Sequence, residues 1–162
     1  MPVTRAPSRC RLELDHDFHA RLPHPPAVKT RTPREIAVAV LLARTRGNDY
    51  VEDLLAKELT GQALAPADRG LAQELAYGIV RWEGTLDWLI GRKTQTRTQK
   101  AALQVLLRLG LYQLFWLERI PDHAAVHETV SLAKQLGFGS QSGFINAVLR
   151  GYLREREQTE RH

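Results

Sequence analysis

Few residues of this chain combine the type and the spacing that chemistry needs. His123 and His127 sit four apart with Glu128 beside the second, which would put both imidazoles on one helical face. A zinc site needs a third protein ligand, and the order H-A-A-V-H-E lacks the general base that H-E-x-x-H places between its histidines. Two helix-surface histidines are the expectation, and no metal is expected. Cys10, the one cysteine, falls in a proline-punctuated leader where nothing could hold a general base against it. Ser131, Ser140 and Ser142 lack a glycine-flanked strand-to-helix elbow, and no glycine-rich phosphate loop follows a strand. No catalytic residue and no cofactor are expected, so the chain acting alone is not read as an enzyme.

Charge says more. From Trp88 to Leu117 there is no Asp or Glu, while Arg92, Lys93, Arg97, Lys100 and Arg108 all occur. Arg31 and Arg34 add two more cations at the start of a helix. The whole chain carries a formal charge of +5, with a pI near 9.7. Such a balance suits an anionic partner, of which nucleic acid is the commonest, and binding of that kind weakens steeply with salt. The plain alternative is a solvated helix entrance.

The elements that must hold these residues are helical. Gln99 to Glu118 is apolar nearly all round, with Leu103, Leu106, Leu107, Gly110, Leu114 and Leu117 on one stripe. Lys100, Gln104, Arg108 and Gln113 interrupt it, so it falls short of the roughly 18 unbroken apolar residues of a membrane span. It is expected to be a buried central helix, with Gly110 as its weak spot. Residues 1–31 form a basic, proline-rich arm without helical period, expected to be disordered. Order begins at Thr32-Pro33-Arg34-Glu35, the parts of a capping box. Asp49 and Glu52 suggest a cap for a second helix, and Trp82-Glu83-Gly84 a break between two more. Gly91 to Thr98 reads as a basic connection, Asp122 as an N-cap, Gly137 as a left-handed C-terminal stop, and Ser140 as the cap of a last helix. The expectation is an all-α protein of about seven helices, with the ordered domain over 32–157 and a frayed end at 158–162. A lone thiol and the lack of a secretory signal suit the cytoplasm.

Four blocks then carry a resemblance: DRGLAQELAYGIVRWEGTLDWLI from Asp68, LLRLGLYQLFWLERIP from Leu106, HAAVHETVSLAK from His123 and GFINAVLR from Gly143. In this order they resemble the NusB-like domain, shared by the antitermination factor NusB and the N-terminal part of RsmB-type rRNA cytosine methyltransferases. Gly78-Ile79-Val80-Arg81 and Asn146-Ala147-Val148-Leu149-Arg150 look more like the methyltransferase branch, although nothing here resembles its cofactor-binding sheet or catalytic cysteine motif. The resemblance implies two packed helical sub-bundles and RNA binding, to a boxA-like single strand or to small-subunit rRNA. By position it implies contacts from Arg31 and Arg34, and from Ser142 and Phe144, where an aromatic ring can stack a base. Thr85 stands where NusB can carry a Tyr, and His127 where the family usually has Asn. With the basic connection, the expected RNA-binding set is Arg31, Arg34, Lys93, Arg97, Lys100, Ser142 and Phe144. The expected role is transcription antitermination or rRNA recognition. Two alternatives are an adaptor that docks a NusE-like ribosomal protein, and the targeting half of a split rRNA methyltransferase, with the methyltransferase domain in trans. No membrane partner is expected.

Overall fold

The computed structural model describes residues 30–160. The arm expected over 1–31 therefore lies outside the described residues except for Thr30 and Arg31, and Cys10 lies outside with it. Among the described residues there are seven α-helices and no strand: α1 (Pro33–Arg44), α2 (Val51–Leu59), α3 (Pro66–Arg81), α4 (Glu83–Thr94), α5 (Ala101–Trp116), α6 (Asp122–Gln135) and α7 (Ser142–Glu160). A single 3₁₀ turn, Gly139–Gln141, leads into α7. Among the described residues no helix is long and apolar enough to cross a membrane.

Helix α5 is the axis of the molecule. Ten of its sixteen residues are buried, including Leu106, Leu107, Leu109 and Leu111. It touches α1, α3, α4, α6 and α7, which is what a helix without a polar face must do. Two cores result. The smaller joins Ile36 and Val40 of α1 to Val51, Leu54, Leu55 and Leu59 of α2 and to Ala72 and Ala76 of α3. The larger gathers Val38 and Leu41 on another side of α1 with Leu75 and Ile79, the buried residues of α4 and α5, and the inner faces of α6 and α7. Helices α1 and α3 thus belong to both sub-bundles and weld them together.

Gly110 is a point of contact rather than a defect. A Cβ there would stand 2.6 Å from Cδ1 of the fully buried Leu149, so the missing side chain lets α7 lie against α5. Gly78 does the same for Tyr112 of α5, whose hydroxyl would meet a Cβ at 1.9 Å.

Several helix boundaries match their chemistry and others correct it. Thr32 accepts from the Glu35 N–H at 3.2 Å while Glu35 accepts from the Thr32 N–H at 2.6 Å, a complete capping box. Gly137, at φ +86°, closes α6: its N–H donates to Lys134 and the Phe138 N–H donates to the Ala133 carbonyl at 2.8 Å. Trp82 ends α3 and begins α4, the break expected at this point. Three expected caps fail. Tyr50, not Asp49, precedes α2, and no side chain caps it, because burial of Val51, Leu54 and Leu55 sets where that helix starts. Asp122 lies inside α6, preceded by Pro121, and its carboxylate is engaged by Arg156 of α7. Ser140 bonds to Gln141 across the 3₁₀ turn, and α7 starts two residues later. Helix α4 also runs on to Thr94, which shortens the basic connection to residues 95–100, and α7 continues to Glu160.

Candidate nucleic-acid interface

The basic residues are not gathered on one face. Arg31 and Arg34 precede and open α1, beside the far half of α5. Arg34 donates from Nε to Gln113 Oε1 at 2.7 Å. Gln113 lies thirteen residues beyond Lys100 along α5, about 20 Å at 1.5 Å per residue. The two groups therefore stand toward opposite ends of the central helix.

At the α1 end both cations are engaged by groups of the chain itself. Gln113 is fully buried, and its Nε2 donates to the Leu109 carbonyl at 3.1 Å and to Thr129 Oγ1 at 3.2 Å. Thr129 in turn donates to the Ala125 carbonyl at 2.7 Å. This chain of bonds ties α1, α5 and α6 together and leaves Arg34 half-buried. Desolvation lowers the Arg34 pKa from its ordinary value, and the nearby Glu128 charge acts the other way. Arg31 is ion-paired with Glu58 of α2, and its N–H donates to Gln62 Oε1 at 3.1 Å. Arg108, part of the same acid-free stretch, is likewise engaged. Its Nε and Nη2 grip the two Asp87 oxygens at 2.7 Å each, and Nη1 donates to Glu83 at 2.6 Å. Gln104 donates to Asp87 at 2.7 Å, and Arg44 donates to Glu83. Burial raises the Asp87 pKa, but the bonds from Arg108 and Gln104 and the Arg108 charge outweigh it and hold the carboxyl below its ordinary range. Arg108 cannot offer its charge to a phosphate without giving up both acids.

At the other end, residues 95–100 form a ridge between two grooves. Gln95 (φ 52°) and Thr96 (φ 59°) are both left-handed, a costly conformation for two successive non-glycine residues and most of all for a β-branched threonine. Local bonds hold them there: the Thr96 N–H donates to Gly91 at 2.9 Å, the Arg97 N–H to Thr94 at 3.1 Å, and Gln99 Nε2 to the Arg97 carbonyl at 2.9 Å. Arg97 and Lys100 are exposed and make no side-chain hydrogen bond or ion pair among the described residues. A groove of about 460 Å³ on one side of the ridge is lined by Lys93, Arg97, Gln99, Leu103, Gln141 and Phe144, among others. It brings Phe144, 38% exposed, together with two of the expected cations. Lys93 is partly committed there, since it pairs with Glu155 and lies 4.7 Å from the Tyr152 ring centroid. Ser142 is beside the groove but not in its lining, and its hydroxyl donates to the Gly139 carbonyl at 2.7 Å.

A second groove, about 610 Å³, opens on the other side and shares Thr94, Arg97 and Gln99 with the first. Trp88, 61% exposed, lies in its wall with the Arg92 guanidinium 5.2 Å from its ring centroid. The expected set of site residues omits both. The signal was present: Leu86, Leu89 and Ile90 make the buried stripe of α4, which puts Trp88 off that stripe and Arg92 one turn further along the same outer face. The two histidines have no such setting. His123 and His127 are exposed on α6, the Glu128 oxygen lies 3.7 Å from His127 Nδ1, and no three His, Cys, Asp or Glu side chains converge among the described residues.

Comparison with known proteins matches residues 31–154 to the NusB family. Three similar curated proteins illustrate the company this keeps. The chain is 37% identical over 130 residues to a probable ribosomal RNA small subunit methyltransferase B of Bacillus subtilis, covering 79% of this chain and 29% of that protein. It is 41% identical over 128 residues to the ribosomal RNA small subunit methyltransferase B of Pseudomonas putida, covering 78% and 29%. A Synechocystis protein named as a probable ribosomal RNA small subunit methyltransferase B is 37% identical over 127 residues, covering 77% and 28%. The chain thus spans under a third of the length of these relatives.

Proposed function

The chain belongs to the NusB family, and from that premise we propose that it is a non-catalytic RNA-binding module of the cytoplasm whose task is recognition of small-subunit rRNA. One observation carries the reading: the 95–100 ridge presents Arg97 and Lys100 uncommitted, beside a groove that adds the exposed ring of Phe144. Cations of this kind neutralise phosphates, and an exposed aromatic face stacks an unpaired base. The relatives' names, all of which refer to small-subunit rRNA, favour rRNA recognition over antitermination.

The test is fluorescence anisotropy with a labelled small-subunit rRNA hairpin and a boxA-type single strand, each titrated at several salt concentrations. Preference for the hairpin's unpaired bases, with a salt slope that falls in Arg97→Ala/Lys100→Ala, supports the reading. Preference for the boxA strand turns it toward antitermination. Absence of binding to either RNA at low salt overturns it.

A second reading has one observation in its favour. A groove of about 540 Å³ between α3 and the end of α5 is lined by Leu71, Trp116, Leu117 and Ile120, together with the charged residues Glu74, Glu118 and Arg119. Trp82, 38% exposed, packs on Trp116 at 5.2 Å. A groove of this kind suits an adaptor, and the methyltransferase names of relatives nearly three times as long favour a methyltransferase domain as its occupant. Co-migration of such a domain with this chain, abolished by Leu71→Glu, supports that reading, and failure to co-migrate removes it.

A further inference from the structure

The groove that holds Trp88 carries an inference of its own. We propose that Trp88 and Arg92 form a nucleobase subsite for single-stranded RNA, separate from the Phe144 groove, so that one strand crosses the 95–100 ridge with a base seated on each side. The proposal rests on the RNA-binding reading above.

Four observations support it. First, a tryptophan 61% exposed gains little from folding. Arg92 engages its ring through the cation–π contact, which restrains the indole and leaves ring surface open. Second, the cleft beside it, about 610 Å³, lies within the range of roughly 300–1,000 Å³ typical of small-molecule clefts. Third, its charge suits an anionic strand. The one acid in the lining, Asp87, is neutralised by Arg108, so Arg92 and Arg97 set the sign of the rim. Fourth, the two grooves are adjacent, with Thr94, Arg97 and Gln99 in both linings. Arg97 stands where a phosphate joining two seated bases would pass. The strained pair Gln95 and Thr96 holds the ridge up between them.

The chemistry requires no co-reactant. A base leaves water, lays its face on the indole, and the phosphate that follows it meets Arg92 or Arg97. Stacking of this kind is tolerant of sequence because every base has a π-face.

The experiment uses the full chain with two 12-mers of equal charge, one of uridines and one of abasic ribose phosphates, titrated by anisotropy at fixed salt. Trp88→Ala should weaken the uridine strand about fivefold or more, the equivalent of a lost stack of roughly 1 kcal/mol or above, and leave the abasic strand unchanged. Trp88→Phe should recover most of the loss. In a Trp82→Phe/Trp116→Phe background, the remaining Trp88 fluorescence should be quenched by the uridine strand and not by the abasic one. Circular dichroism of Trp88→Ala should match the parent, since the side chain is exposed. Equal binding of the uridine strand by Trp88→Ala and the parent overturns the subsite while the RNA reading stands. Equal losses on both strands overturn it as well, because the effect would then belong to phosphate contact. If the parent itself binds neither strand, the subsite falls, and the functional reading is decided separately by the rRNA hairpin and boxA titrations.

Discussion

The two ends of α5 use the same kind of residue in opposite ways. Toward its C-terminal half, Arg34 is drawn inward by the carbonyl of a buried glutamine, and midway along, Arg108 grips two acids of α4. At its N-terminal end, Arg97 and Lys100 stand in water with no acid near enough to pair. What separates them is the neighbouring element. Where α1, α4 and α6 pack on α5, a guanidinium must find an acceptor or be lost from the fold, since a desolvated charge without a partner is expensive. Where a short strained loop carries the cation at the surface, no such demand exists and the charge stays available. A count of basic residues therefore overstates the surface that can meet an anion.

The sharpest way to break this contrast is Arg108→Ala. It leaves Glu83 with Arg44 alone and Asp87 with Gln104 alone, and should cost about 2–3 kcal/mol in urea denaturation, below the range for a fully buried pair because both acids keep a donor and part of their hydration. A loss below about 0.5 kcal/mol would mean that Arg108 is a surface charge after all. Arg34→Ala comes next, at about 1–2 kcal/mol, because it leaves Gln113 Oε1 buried without a donor. Its effect on RNA affinity should be smaller than that of Arg97→Ala; the reverse order would return the α1 end to the interface.

Acid titration gives a smaller effect. The folded pKa of Asp87 lies below its ordinary 3.8, so its stabilisation is complete above that value and is lost as the pH falls through the depressed one. Asp87→Asn should start less stable near neutrality and lose less between about pH 5 and pH 2.5 than the parent. An identical acid slope in both would assign the acid loss to other carboxylates. Smallest of all in stability is Arg97→Ala/Lys100→Ala, expected within about 0.5 kcal/mol of the parent. The same double variant should flatten the salt dependence of single-strand binding by about 1.4 in log–log slope, two charges at roughly 0.7 each. An unchanged slope would place the phosphates elsewhere.

Much of the fold could be read in the chain because the signals were local or periodic. The Thr32–Glu35 capping box, the Gly137 stop and the all-round apolarity of α5 each need only a few neighbours to take effect. Asp49, Asp122 and Ser140 misled because a capping side chain was available but packing or a distant partner decided the boundary, as Arg156 did for Asp122. The site divided along the same line. Phe144 was singled out by family position and Lys93 and Arg97 by charge, but their meeting in one groove, like the bond from Arg34 to Gln113 seventy-nine residues away, comes only with the fold. No periodicity encodes that pairing. Trp88 was legible as an off-stripe aromatic, but its meaning required the groove that only the folded 95–100 ridge creates.

The absent side chain at Gly110 has a consequence for how such an interface can change over time. Phe144 projects from α7, whereas Lys93 and Arg97 project from α4 and the ridge, so the width of their groove is a spacing between helices. That spacing is set where Leu149 rests on Gly110, and Tyr152 secures the same helix through a 2.7 Å bond to the Leu89 carbonyl. Groove-lining residues can therefore drift, exchanging one cation or polar group for another, while the aperture stays constant. A single methyl at Gly110 would do the opposite: it would alter the dimensions of the aperture while leaving every residue that lines it in place. In this protein the calibration of the surface is stored in the core.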